Sequence, residues 1–281
     1  MFEQLVALKA LGDDTFEAPP APDKGERTYG GQFLAQSIAA AFDTIGDDWL
    51  INSLHAYFLR PGDVNAPATL AVERVRDGRT FATRQMTISQ HGKELFRMLA
   101  SMQKPAESPV YAKAKAPGVP RPEAVTCTYD EFTLSAANAE EWHGSDRPME
   151  ILYINPPNAP RGVPVTEDQY TWTRVRGTLR DNPGVHQAGI AYLSDSSLVD
   201  HILLPHGLRW QDEGFIGASL DHSMWFHRPA RADEWLLFTQ SVEATGSGRG
   251  LASGRFYDLD GNLVVTCTQE GLMRWKDGPP T

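Results

Sequence analysis

The 281-residue chain is 41% hydrophobic and 22% charged, a balance that supports a large buried core and excludes an intrinsically disordered polymer. Its formal net charge of −10 argues against a nucleic-acid partner, because a phosphate backbone is met by a basic face. No apolar run approaches the roughly 20 residues needed to cross a bilayer, so no membrane insertion is expected. Cys127 and Cys267 lie far apart without metal-ligand spacing and read as buried free thiols; neither metal nor cofactor is expected.

Taken in chain order, the start, MFEQLVALKAL, lacks a basic n-region and a small-residue cleavage site. It reads as a short amphipathic helix rather than a secretory signal, which sets a cytoplasmic expectation. The Ala-rich segment GGQFLAQSIAAAF predicts a helix over 30–42, with apolar residues at helical spacing. Four strands follow, alternating apolar and polar residues up to Gln103, with turn signals at Asp77-Gly78 and His91-Gly92. Residues 104–124 hold five prolines and no periodicity, and read as a linker. A second helix is predicted over 186–203, HQAGIAYLSDSSLVDHIL, and four more strands run from the 217–229 stretch to Gln269, with a turn at Asp260-Gly261.

The two halves repeat one pattern. LHAYFLRPGD at 54–63 and DHSMWFHRPARAD at 221–233 align with a one-residue offset before Arg and two more after Pro, so that His55, Arg60, Pro61 and Asp63 answer His222, Arg228, Pro229 and Asp233. An amphipathic helix beside a curled sheet buries its apolar stripe against the sheet's concave face, which predicts an α+β fold built twice. The expected division is 1–103, a linker at 104–124, and 125–281. GASLDHSMWFHRP, residues 217–229, packs Ser219, Asp221 and His222 together, but strand alternation places Ser219 and Asp221 on one face and His222 on the other. A nucleophile and its base would not meet within that stretch.

YGGQFLAQS, LHAYFLRPGD, YLSD, LDHSMWFHRP and TQEGLMR, in this order and spacing, resemble the thioesterase II family of acyl-CoA thioesterases almost end to end. The resemblance implies a double hotdog fold and hydrolysis of a fatty acyl-CoA to free acid and CoA. It further implies that Asp195 of YLSD, on the second helix, Ser219 of ASLDH and Gln269 of TQEG bind and activate a water. Ser219 stands where Thr is also familiar, which keeps the hydroxyl and removes a methyl. A homo-oligomer is expected by the same analogy.

These residue types suit the chemistry. A thioester's leaving thiol has a pKa near that of Cys, about 8.5, so little acid assistance is needed and the demand falls on the nucleophile. A carboxylate whose pKa is raised by burial is a competent base, while a hydroxyl and a carboxamide aim the water. His55, Arg60, Arg84 and His222 are candidate substrate contacts, the arginines for CoA phosphates. One working site per chain is expected, because the 30–42 helix holds no acid, Asn52 stands opposite Ser219 in the histidine alignment, and Gln103 alone answers Gln269. Two alternatives stay open: a hotdog enoyl-CoA hydratase using Asp195 and His201, and a non-catalytic acyl-CoA-binding protein.

Overall fold

A computed structural model of the chain describes residues 1–20, 27–46, 48–134, 147–210 and 212–278. In chain order the elements are α1 (Phe2–Leu5), β1 (Lys9–Gly12), β2 (Thr15–Ala18), α2 (Gly30–Asp43), β3 (Leu50–Phe58), β4 (Ala68–Asp77), β5 (Phe81–Gln90), β6 (Lys93–Gln103) and α3 (Tyr129–Leu134). The second half continues with β7 (Met149–Tyr153), β8 (Gln169–Val175), α4 (Pro183–Ser194), α5 (Leu198–His201), β9 (Phe215–Ser219), β10 (Asp221–Phe226), β11 (Leu236–Gly246), β12 (Arg249–Tyr257) and β13 (Leu263–Trp275). The strands form one antiparallel sheet in the order β1-β2-β4-β5-β6-β3-β10-β13-β12-β11-β8-β7, with β9 also on β13. The halves are joined at β3 and β10, where Ser223 lies opposite His55.

The helices α2 and α4 lie side by side within the curl of this sheet and are buried on nearly every face, rather than along a single stripe. A helix flanked by a sheet and a second helix has no solvent side to spend on charge. Its few polar residues serve the backbone instead: Gln36 Nε2 donates to the carbonyls of Leu5 and Pro19, both at 3.0 Å. The N-terminal amphipathic helix amounts to one turn, and the chain then enters the β1–β2 hairpin, whose turn residues Asp13 and Asp14 both have positive φ (48° and 50°). At the β5–β6 hairpin His91 and Gly92 (φ 49° and 72°) form a two-residue type I′ turn.

Two sequence expectations change here. The second helix starts three residues earlier than position 186, because Asn182 Oδ1 caps the Val185 N–H at 3.1 Å and Pro183 occupies the first helical position. It also ends at Ser194, so Asp195 is the C-cap residue rather than a mid-helix one, and a short turn separates it from α5. The Pro-rich 104–124 segment is docked, not free: Trp172 Nε1 donates to the Pro120 carbonyl at 2.8 Å. Ala116, Val119 and Val125 pack on the buried cluster of Trp172, Leu237 and Tyr257.

Each half carries a β-bulge at the same place on its inner face. Ile51 lies opposite Met102 and Ser53 opposite Ser101, so Asn52 is the extra residue of β3. The backbone of Ile51 is completed by the α4 side chain of Gln187, which accepts from its N–H at 2.9 Å and donates to its carbonyl at 2.7 Å. In the second half Ser219 lies opposite Gly271 while Ser223 lies opposite Thr268, so the β9–β10 stretch contains one residue more than β13. Leu220 donates its N–H to the Glu270 carbonyl at 2.8 Å, and the Asp221 carboxylate accepts the Glu270 N–H, also at 2.8 Å. Asp221 is therefore a backbone support. The extra residue overturns the simple alternation expected for 217–229, because it turns Ser219 and His222 to the same, inward face.

Candidate active site

The site is assembled from three distant segments. Gln269, on β13 and fully buried, donates from Nε2 to Asp195 Oδ1 at 2.6 Å and to Ser219 Oγ at 2.9 Å. Both amide hydrogens are thereby committed, one to the carboxylate and one to the hydroxyl. Asp195 also accepts the backbone N–H of Gly31, in the first turn of α2, so the first half supplies part of the site. This explains the paired glycines of YGGQ. A Cβ on Gly30 would stand 2.7 Å from Asp195 Oδ2, and one on Gly31 would stand 2.5 Å from the Tyr192 carbonyl, a backbone atom that cannot step aside. Tyr29 closes the same contact by donating its hydroxyl to the Tyr192 carbonyl at 2.7 Å.

A cavity of about 390 Å³ opens onto this group, lined by Asp195 and Ser219 together with Tyr29, Gly30, Arg60 and Asp200. Burial pushes Asp195 up to about 6, partly opposed by the hydrogen bonds from Gln269 and Gly31 and by the charge of Arg147. A group so placed is ionised at neutral pH yet still basic enough to take a proton. Asp200 was not singled out by the sequence; its carboxyl has no hydrogen-bond partner among the described residues, and burial followed by the charge of Asp195 pushes it up to about 7. Arg147 stacks on Tyr29, its guanidinium carbon 4.4 Å from the ring centroid. Neither residue belongs to a short motif, so only the folded cavity brings them forward.

The remaining candidates are sorted by their surroundings. Arg60 lines the cavity while donating to the Glu94 carbonyl at 2.6 Å. Arg84 does not line it: at 1% exposure it is bound to Thr44 Oγ1 at 2.9 Å, to backbone carbonyls of Arg76 and Thr83, and to Asp77. With four of its five N–H groups bound by its own chain and its side chain buried, Arg84 is not presented to a phosphate in the cavity. His55 is exposed on the outer face, its Nδ1 3.0 Å from Ser223 Oγ and its ring edge-on to Trp225. His222 is fully buried with Nε2 2.8 Å from Ser194 Oγ, and it too is absent from the cavity wall. The two histidines thus do not share a position. The seam register sets His55 directly against Ser223, and the residue facing inward at the first-half bulge is Leu54. His201 lines a separate cavity of about 230 Å³ and does not pair with Asp195.

Two curled antiparallel units in tandem, each around a central helix, define a double hotdog protein. A family model described as acyl-CoA thioesterase matches residues 146–272, and one described as acyl-CoA thioesterase N-terminal domain matches residues 18–103. The chain is 36% identical to human acyl-coenzyme A thioesterase 8 over 280 residues, covering 96% of this chain and 87% of that protein. It is 33% identical to acyl-CoA thioesterase 2 of Haemophilus influenzae over 282 residues, 97% of this chain and 96% of that one. Among solved structures it resembles the acyl-CoA thioesterase II TesB2 of Mycobacterium marinum, with a TM-score of 0.80 at 33% identity over 98% of each chain. The chain belongs to the acyl-CoA thioesterase II family and is an acyl-CoA thioester hydrolase.

Proposed function

We propose that the chain hydrolyses fatty acyl-CoA by direct attack of a water held between Asp195 and Ser219. The observation that carries this reading is the doubly donating Gln269, which ties to one buried amide a carboxylate and a hydroxyl that both line the cavity. Asp195 acts as general base. Ser219, whose Oγ already accepts from Gln269, keeps its own hydrogen free to orient the water or the thioester oxygen. Gln269 holds the two in register and acts on the water through them.

As the water oxygen bonds to the thioester carbon, its proton passes to Asp195 and the carbonyl becomes an oxyanion. The oxyanion is assigned to the N-terminus of α2, where Gly30 lines the cavity. Collapse of the intermediate breaks the C–S bond, the sulfur leaves with the electron pair and takes the proton held by Asp195, and the fatty acid and the CoA thiol are released with the base restored. No acyl-enzyme forms on this reading: among the described residues no histidine is bound to Ser219, and the nearby His222 is bound to Ser194. The test is thiol release across acyl-CoA chain lengths combined with rapid-quench mass spectrometry. Turnover without an acylated chain is expected, and an adduct on Ser219 would overturn the mechanism.

The assignment of repeats to 1–103 and 125–281 around the 104–124 segment, and a cytoplasmic setting, are part of the same proposal. No described helix is long and apolar enough to cross a membrane. A homo-oligomer is proposed through the outer face of the sheet at the seam, where Tyr57, Leu99 and Trp225 are 61%, 44% and 37% exposed. Light scattering of the wild type and of Trp225→Lys tests it.

A further inference from the structure

Gln269 can serve Asp195 and Ser219 only if its carboxamide points one way. Turned over, it would set its oxygen against the Asp195 carboxylate, acceptor facing acceptor. In the working orientation the oxygen, Oε1, is turned from Asp195 and Ser219 and is buried without a well-formed hydrogen bond among the described residues. An unsatisfied buried acceptor costs about 1–3 kcal/mol, so the orientation needs a donor behind it.

His222 is the group in place. The pairing of Ser223 with Thr268 sets His222 beside Gln269 on the adjoining strand, and the bulge turns both side chains inward. His222 is fully buried, and its Nδ1 is the other unpartnered polar atom at this point. Burial pushes the ring down to about 3, with the Gln269 amide beside it pulling the other way, so it is neutral throughout the working range. A neutral ring carries one hydrogen, on Nδ1 or on Nε2. Nε2 lies 2.8 Å from Ser194 Oγ, and that hydroxyl has one hydrogen to give, to His222, to the Ala191 carbonyl at 2.9 Å or to the weaker acceptor Met224 Sδ at 3.6 Å. If Ser194 donates to Nε2, the ring hydrogen sits on Nδ1 and both orphaned atoms are satisfied together. If it does not, both remain bare.

On the reading of Asp195, Ser219 and Gln269 as the hydrolytic site, we propose that His222 is a positioning residue. It accepts from Ser194 at Nε2, donates from Nδ1 to Gln269 Oε1, and so locks the amide with its hydrogens toward Asp195 and Ser219. Ser194 directly precedes Asp195, so the hydrogen bonds close a ring from the helix end through two strands and back to the base.

The tautomer is read directly. Long-range nitrogen–proton spectra of wild-type protein with labelled histidine should show His222 with its hydrogen on Nδ1, unchanged from about pH 5.5 to 8. A hydrogen on Nε2 overturns the proposal, whatever the catalytic mechanism. Kinetics give the second arm. His222→Leu should lower kcat roughly 10–100-fold with KM nearly unchanged, and His222→Asn, whose Nδ2 stands near the place of Nδ1, should recover most of it. In a Gln269→Ala background, His222→Leu should cost nothing more. A loss that persists there, or that falls on KM, shows His222 acting on something other than the amide. Should the site reading itself be wrong, Asp195→Asn would retain turnover, an outcome separate from these. Should His222→Leu fail to fold, the tautomer measurement decides alone.

Discussion

At the bulge, the inner faces of the two halves put opposite chemistry on the same backbone. In the second half the inward residues are Ser219, His222 and Gln269; in the first they are Ile51, Leu54 and Ala100, all buried. The end of the helix differs in kind too: Asp195 caps α4 and opens onto the cavity, whereas Thr44 caps α2 and is bound by the enclosed Arg84. On the proposed mechanism one bulge serves hydrolysis, while its twin carries the apolar Ile51, Leu54 and Ala100. On the proposed site the duplication supplies geometry twice and chemistry once, and the first half returns to the site through the glycines at the start of α2 and through cavity-lining residues such as Tyr29 and Arg60.

The sharpest way to break this comparison is Asp195→Asn. Loss of a general base costs typically 10²–10⁴-fold, and steady-state thiol release should fall by that factor while acyl-CoA binding stays within a few fold. If a residual phase with its own KM survives, the first half has a site of its own. The same variant should be the more stable protein. Asp195 is held above its ordinary value of 3.8, at about 6, so the folded chain binds that proton more tightly than the unfolded one. The associated stability is fully present below 3.8 and lost as pH rises through about 6, a loss of at most ~3 kcal/mol that the Asn variant escapes. Thermal melts should show the variant above wild type at neutral pH and level with it near pH 3.5.

Ser219→Ala and Gln269→Ala should each lower kcat roughly 10–100-fold with smaller changes in KM, the pattern of lost transition-state positioning. Ile51→Ala and Ala100→Gly, their counterparts in the first half, should change stability and leave kcat near wild type. A kcat loss of equal size in both halves would erase the asymmetry. The pH profile sharpens the same point: kcat/KM should rise with pH through a limb near 6, as the base ionises. Asp200→Asn should leave that limb in place, because Asp195 ionises first and its charge is what holds Asp200 up to about 7, not the reverse.

Much of this was legible in the sequence, and the failures share one cause. The helix over 30–42 and the order of strands followed from local periodicity and turn residues, and the motif set led to Asp195, Ser219 and Gln269, which the fold brings within hydrogen-bond distance. What strict alternation could not show was the extra residue near Leu220, since a bulge is settled by the pairing of β9 and β10 with β13, some fifty residues away. Missing it sent His222 to the wrong face. The histidine-based alignment failed in the same way, because it inserted an offset where the strands pair without one and matched exposed His55 to buried His222. Arg84 looked like a free cation because nothing local shows that α2 ends with Thr44 against it. The β1–β2 hairpin escaped notice because its turn is made by Asp13 and Asp14 in the left-handed region, where glycine or asparagine is the usual signal.

The smallest expected effect separates the two Arg-Pro motifs. Arg60 and Arg228 follow equivalent strands, yet Arg60 lines the cavity and Arg228 does not. Because Arg60 is exposed to water and already donates to the Glu94 carbonyl, its attraction for a CoA phosphate is screened, worth about 0.2–1 kcal/mol as for other surface ion pairs. Arg60→Ala should accordingly raise KM for acyl-CoA by about 1.5- to 5-fold at low salt, with kcat unchanged, and the difference should shrink as salt is added. Arg228→Ala should leave both constants alone. Equal effects from the two arginines would mean that the CoA moiety lies across the seam rather than at the first-half rim, and an effect of Arg60→Ala on kcat would place its side chain nearer the thioester than the cavity wall implies.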